Sequence, residues 1–265
     1  MSMVLESNKT KIAKRVIEVF EFFDNNKRQA TVMDIVRCYG RPQSSTSELL
    51  ASLVEMGLLY KDQRSRTYRP TPRLATLGAS VQPDIIRDGR LFTFMDRIAQ
   101  STRHSVGLFG IVGTHVQLFR WSPGTMPLAG ELGSGASDRL CASTAGQLLL
   151  STMPSDESGK ILRRLNAESM EEDKFNYSAM VAQIAAFQRA GHATGDAGFG
   201  CNGRVTAVLV PTVVTDRPLA LGVIYPAASS MDPDALVATL RSGIAQCAGQ
   251  ADDGHYSAPA LMRAV

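Results

Sequence analysis

The 265-residue sequence lacks any apolar run of about 18 residues, the length a membrane-spanning helix needs. Met1 to Lys9 contains no apolar core of the secretory kind, so a cytoplasmic setting with no membrane partner is expected. Four cysteines, Cys38, Cys141, Cys201 and Cys247, stand far apart and form no Cys-x-x-Cys pair. They offer neither a disulfide framework nor zinc-ligand spacing. His104, His115, His192 and His255 lack metal-ligand spacing too, so no metal site is expected. No Gly-x-Ser-x-Gly elbow surrounds Ser143, which removes an imaginable hydrolase pair with His104 or His192. The stretch Gly198 to Gly203 has no Lys-Ser/Thr partner and reads as a flexible loop rather than a phosphate cradle. No cofactor and no catalytic constellation is expected, and the chain is not read as an enzyme.

Charge is present but uneven. Residues 1–80 carry 13 Lys and Arg against 8 Asp and Glu, a balance of +5. The remainder carries 15 against 17, a balance of −2, which gives the net +3. A basic module on a mildly acidic body suits a polyanionic partner for the first part alone, though plain scatter of surface charge gives the same arithmetic.

In that first part, Ile12, Val16, Val19, Phe20 and Phe23 recur at helical spacing as one buried stripe of a helix over Lys11 to Phe23. Thr31 opens a second helix, with Asp34 three positions on as an acidic capping box and Gly40 as its stop. Pro42 sits at the start of a third helix, whose Thr46, Leu49, Leu50 and Leu53 share a face. Leu58 to Asp62 and Arg66 to Arg69 read as two short strands. Three helices with a tight turn and a hairpin describe a winged helix-turn-helix. In such a unit the third helix enters the major groove by its first turn. Gln43 is then placed to pair with an adenine edge, while Ser44, Ser45 and Ser47 are short donors to phosphates. Arg64 and Arg66 at the hairpin reach phosphates or the minor groove, and Thr31 is placed on the DNA side with them. The same pattern also suits a helical hairpin used for protein contacts.

Pro70, Pro72, Gly78 and Pro83 punctuate a boundary. The expected organisation is a DNA-binding unit over 1–80, a connecting helix over 81–102, a body over 103–251 and a flexible tail over 252–265. In the body, strands are expected at His104 to Val112, Thr114 to Trp121, Thr125 to Glu131, Val205 to Val213 and Leu219 to Tyr225. Helices are expected at Ala142 to Met153, Pro154 to Asn166, Tyr177 to Ala190 and Asp232 to Gln250. Strand pairs interrupted by helices give a mixed α/β (α+β) class with a mostly antiparallel sheet.

Thr31 to Gly78 resembles the DNA-binding domain of IclR-type transcriptional regulators. The resemblance rests on the Gly-x-Pro-x-Ser turn from Gly40, the Leu49-Leu50-Ala51-x-Leu53 run, Gly57, and the closing Tyr-Arg-x-x-Pro-Arg-Leu-x-x-Leu-Gly from Tyr68. Leu140 to Ser151, Ala186 to Val213 and Leu219 to Ala228 are similar to body segments of the same family, so the resemblance spans nearly the whole chain. It implies a GAF-like effector-binding body that senses a small molecule.

In several relatives that pocket holds a small carboxylate. Position by position, the resemblance places the helix-start amides on Thr144 and Ala145. The acidic position falls on Gly195 with Asp196 beside it, the cysteine on Val205, and the two serines on Gly222 and Ile224. With most polar groups replaced by Val, Gly and Ile, the implied effector is larger and more apolar, such as an aromatic acid. Its carboxylate would lie at Thr144 and Ala145. The expected function is a ligand-responsive regulator, a homodimer or tetramer on a double-stranded DNA operator, controlling a catabolic operon such as one for aromatic acids. A ligand-free DNA binder and a small-molecule enzyme with an accessory helix-turn-helix stay open beside it.

Overall fold

In the computed structural model the described residues are 8–23, 27–79, 82–128, 130, 132–211 and 217–249. Contacts divide the chain into two units, Met1–Gln82 and Pro83–Val265.

The first unit is built on three helices, α1 (Asn8–Glu21), α2 (Val32–Tyr39) and α3 (Gln43–Glu55), followed by β1 (Leu59–Lys61), β2 (Tyr68–Pro70) and α4 (Arg73–Ala79). Their core joins Val19, Phe22, Ile35, Leu50, Leu53, Leu59 and Tyr68. At about 1.5–3 kcal/mol per fully buried large apolar side chain, this cluster is what holds so short a chain together. The stripe expected on α1 divides in two. Val19 is buried together with Phe22, whereas Ile12 is 57 % exposed. Gly40 closes α2 at φ 61° in the left-handed region that a Cβ disfavours, as its place in the sequence implies.

Pro42 is the residue before α3 rather than its first turn. The hairpin strands are shorter than expected, and residue 66 belongs to the turn, not to a strand. Ala30 adds a bridge to Tyr68 through two backbone hydrogen bonds of 3.0 and 2.7 Å. α4 was not expected: it presents no buried side chain, so it leaves no apolar period to read.

The second unit begins with α5 (Asp84–Arg87) and α6 (Arg90–Thr102). The single connecting helix expected over 81–102 is therefore two helices, broken at Gly89, whose φ of 74° cannot continue a right-handed helix. Six antiparallel strands follow: β3 (Ser105–Val112), β4 (His115–Ser122), β5 (Ser137–Arg139), β6 (His192–Asp196), β7 (Gly203–Val210) and β8 (Leu219–Pro226). Their order across the sheet is β5-β4-β3-β8-β7-β6. Thr125 to Leu128 forms no strand, and the edge is supplied by β5 instead.

One sheet face packs on α6 and α10 (Pro233–Gly249) through Leu108, Val208, Leu221 and Val223. The other packs on α7 (Thr144–Leu150), α8 (Ser155–Glu168) and α9 (Tyr177–Ala190) through Phe109, Leu118, Val205, Ala207 and Ile224. Being covered on both sides is why β7 and β8 read as continuous apolar runs. The tail over 252–265 lies outside the described residues.

Candidate nucleic-acid interface and ligand site

Thr31 and Asp34 form a reciprocal cap. The Thr31 N–H and hydroxyl both donate to the Asp34 carboxylate at 2.8 Å, and the Thr31 oxygen accepts the Asp34 N–H at 3.3 Å. These bonds hold the Asp34 carboxyl below the usual carboxylate range. Thr31 thus has its polar groups engaged in starting α2 and is half-buried.

The turn before α3 is tied down by Arg41, whose guanidinium donates to the Glu18 carboxylate on α1 at 2.7 and 3.3 Å. Thr46 is buried, and its hydroxyl returns to the Pro42 carbonyl at 2.9 Å. Ser45 also turns inward: Arg15 donates to it at 3.2 Å, and it donates to the Pro42 carbonyl at 3.3 Å. Of the four residues expected to meet DNA on α3, Gln43, Ser44 and Ser47 are exposed, and Ser45 is half-buried against α1. Among the described residues no side chain caps the start of α3, so its first-turn N–H groups face outward with the partial positive charge of a helix N-terminus.

The hairpin turn is shaped by Asp62, which accepts the N–H groups of Arg64 at 2.8 Å and Ser65 at 3.3 Å. Those backbone bonds lower the Asp62 pKa, so the carboxylate is spent on the turn. Arg66 stands at φ 53°, one of three non-glycine residues at positive φ among those described. Arg64 and Arg66 are exposed and join no ion pair among the described residues.

Two further cations belong to the same projection. Lys61 lies over the Tyr68 ring at 5.7 Å, and Arg69 over the Tyr60 ring at 5.4 Å. Sequence reading passed over Lys61 and Arg69 as strand residues, although alternation with aromatics on a hairpin was the available signal. Four exposed cations on one short hairpin form a concentrated match for a polyphosphate backbone.

In the second unit, Ser143 caps α7 by accepting the Gly146 N–H at 3.0 Å. Thr144 and Ala145 are buried beside it. Gly195 on β6 packs on Thr144 so closely that a Cβ there would lie 2.6 Å from the Thr144 hydroxyl. Val205, Gly222 and Ile224 share the sheet face that α7 covers, and a Cβ on Gly222 would lie 2.8 Å from Val205 Cγ2. These residues are brought together, but Asp196 is not. Side chains alternate along a strand, so Asp196 is on the face opposite Gly195 and is exposed. Its expected role in the pocket is corrected on that ground.

Between β6 and β7 the chain runs through Gly198, Phe199 and Gly200, all at positive φ. The Phe199 N–H donates to the Asp138 carboxylate at 2.6 Å, and its ring lies 6.0 Å from that of Phe109. A Cβ on Gly198 would lie 2.6 Å from Ser143 Cβ, so this loop closes against the start of α7. Cys201 donates its thiol to the Gly198 carbonyl at 3.1 Å, and burial pushes its pKa up, keeping it a neutral, weakly reactive wall. Phe199, Cys201, Asp138 and half-buried Trp121 were not among the expected site residues; the glycines around Phe199 and Cys201 were the trace they left in the sequence.

Residues 13–63 match the family model of the IclR helix-turn-helix domain. Those residues carry an IclR-type helix-turn-helix. Solved structures share its fold at low identity. The Thermotoga maritima IclR is 15 % identical, with 91 % of this chain and 98 % of that chain covered at a TM-score of 0.59. An IclR homolog from Microbacterium hydrocarbonoxydans, complexed with 4-hydroxybenzoate, is 18 % identical, with 92 % and 100 % covered at 0.58. An IclR family transcriptional regulator from Brucella abortus is 17 % identical, with 94 % and 96 % covered at 0.52. No curated protein matches the sequence. The matched domain lies within the first unit, and the Brucella abortus neighbour is a transcriptional regulator. No helix among the described residues is long and apolar enough to cross a membrane.

Proposed function

We propose that this chain is an IclR-type transcriptional regulator, a ligand-responsive, cytoplasmic homodimer that grips a palindromic operator with two copies of α3 and its hairpin. The observation that carries the reading is the pairing of an outward, uncapped α3 start bearing Gln43, Ser44 and Ser47 with the exposed Arg64 and Arg66. One such head covers a half-site, and two-fold partners read both halves. Gln43 is assigned to a base edge and the arginines to phosphates.

The effector is assigned to the chemistry of a partly apolar carboxylic acid. Its ring would lie against Phe199, Val205 and Ile224, and its carboxylate near the Thr144 hydroxyl and the amides of Thr144 and Ala145. Two facts support this: the apolar lining just described, and the 4-hydroxybenzoate carried by the Microbacterium hydrocarbonoxydans homolog. Control of a catabolic operon for such acids follows from the same reading. A ligand-free regulator is the second reading, favoured by the tight packing of Val205 and Ala207 over Gly222.

Gel shifts on DNA flanking the chromosomal gene, across salt and with a panel of aromatic acids, test both. A steep salt dependence with an affinity that moves on adding an acid supports the first reading. A steep salt dependence that no acid moves, together with no thermal shift, supports the second. Loss of all DNA binding removes both.

A further inference from the structure

Helix α3 turns an acid toward the surface that the reading above lays on DNA. Its sequence from Gln43 to Glu55 holds no Lys or Arg, and its charges are Glu48 and Glu55. Thr46, Leu50 and Leu53 are its buried side chains. At about 100° per residue, Glu48 lies roughly 170° around the helix from their centre, so it stands in the middle of the outward face. Its neighbours on that face, Ser44, Ser47, Ala51 and Ser52, are exposed and short. The carboxylate is the longest group among them and is carried past the hydroxyls around it.

That carboxylate is unspent. Glu48 joins no ion pair, and its side chain no hydrogen bond, among the described residues. Ser52 donates to the Glu48 backbone carbonyl at 3.1 Å and not to the carboxylate. Two cations packed about the start of α3 are taken by other partners, Arg15 by Ser45 and Arg41 by Glu18. Asp34 and Asp62, acids of the same unit, are by contrast spent on a helix cap and a turn.

An ionised carboxylate only accepts hydrogen bonds, and so do the phosphate oxygens of a duplex. On DNA it is repelled by the backbone and needs a donor from a base edge. In the major groove those donors are the exocyclic amines of adenine and cytosine. Adenine sets its N7 acceptor beside the amine, which suits an amide that both donates and accepts. Cytosine presents its amine without an acceptor of its own beside it, which suits a carboxylate. We infer that Glu48 is a base-reading residue of α3 that accepts a hydrogen bond from a cytosine 4-amine, so that each half-site carries a C·G pair beneath the middle of the helix. The inference rests on the DNA-binding reading given above and adds a base that it leaves open. It also accounts for an α3 without cations: phosphates fall to Arg64 and Arg66, and the helix is left to base edges.

The test is selection of binding sites from a random duplex library by the full chain, by Glu48→Ala and by Glu48→Gln. The parent is expected to enrich a half-site with a fixed C·G pair. Glu48→Ala is expected to accept any pair there and to keep every other preference, which also shows that the variant is folded. Glu48→Gln is expected to move the preference at that pair toward adenine, since an amide matches the adenine edge. On the parent's own site, replacing that C·G pair by T·A is expected to weaken the parent roughly tenfold and to leave Glu48→Ala nearly unchanged. A C·G preference retained by Glu48→Ala overturns the inference and keeps the DNA-binding reading. So does a gain in affinity that both variants show equally on all sequences, because Glu48 then acts only as a charge. No enriched site for any of the proteins overturns both.

Discussion

Substituting Gly222 by Ala puts a methyl group where the sheet face under α7 has no room. The new Cβ would lie 2.8 Å from Val205 Cγ2 and 3.1 Å from Ala207 Cβ, both on fully buried residues. Overpacking of this kind costs about 1–3 kcal/mol. Reduced freedom of the unfolded chain returns about 0.4–1 kcal/mol, since Gly222 is not at positive φ. The net expectation for Gly222→Ala is a loss of about 1–2 kcal/mol. Val205→Ala alone leaves a void and costs about 1–3 kcal/mol. In the double variant the methyl added at position 222 occupies space that Val205 has vacated, so the clash with Val205 disappears, the tight approach to Ala207 stays, and the void shrinks. The two losses are then expected to sum to more than the double loss by about 1–2 kcal/mol. Urea unfolding followed by the fluorescence of Trp121, the one tryptophan and a residue of the second unit, measures all three. Additivity within about 0.5 kcal/mol would refute the claim that Val205 and Gly222 fill a single space.

Three more outcomes are expected. Arg64→Ala should weaken binding to all DNA sequences and flatten the salt dependence by about one unit of slope, while Gln43→Ala should relax preference at one base pair; gel shifts on operator and scrambled DNA separate the two. Burial holds the His104 pKa below its unfolded value of 6.5, with Arg103 adding to the effect. The folded state therefore binds fewer protons than the unfolded one, and the stability His104 contributes is present above pH 6.5 and lost as pH falls through the folded value; His104→Gln should flatten that fall in urea titrations between about pH 7.5 and 5. At Phe199, φ 56° favours glycine, so Phe199→Gly should be more stable than Phe199→Ala by about 1 kcal/mol although both lose the ring packed on Phe109; equal stabilities would show that the loop relaxes out of the left-handed region.

The parts of the fold that could be read in advance are those where one force dominates. Tyr177 to Ala190 has its cap Asn176 and stop Gly191 adjacent in sequence, and the helix spans those limits. β7 and β8 are apolar on both faces and could be mistaken only at their ends. What stayed hidden was set by tertiary contact. β5 is three polar or charged residues whose strand character exists only through pairing with β4. β6 is rich in small residues, and its glycine is there because Thr144 comes close. In the first unit, a stripe on α1 was legible, but not that it divides between a buried and an exposed side. Ser45 and Thr31 were chosen for their chemistry as donors, and those hydroxyls already donate to the Pro42 carbonyl and the Asp34 carboxylate.

The body's changes from the pattern of its relatives are not independent losses. Taken one at a time, Val in place of a cysteine and Gly in place of a serine each remove a polar contact. Taken together they conserve volume, because the Val205 methyl stands where a side chain at position 222 would begin. The sheet face is therefore filled rather than emptied, and room for a ligand has to come from the opposite wall. There Gly195, having no side chain, packs directly on the buried Thr144, and the loop at Phe199 adopts a conformation that costs a non-glycine residue roughly 1 kcal/mol, offset by the short bond to Asp138 and the ring contact with Phe109. Under the ligand-responsive reading proposed above, Asp138→Ala is therefore expected to change the response to an acid more than a substitution at Val205 does, as thermal shifts with the same acid panel would read.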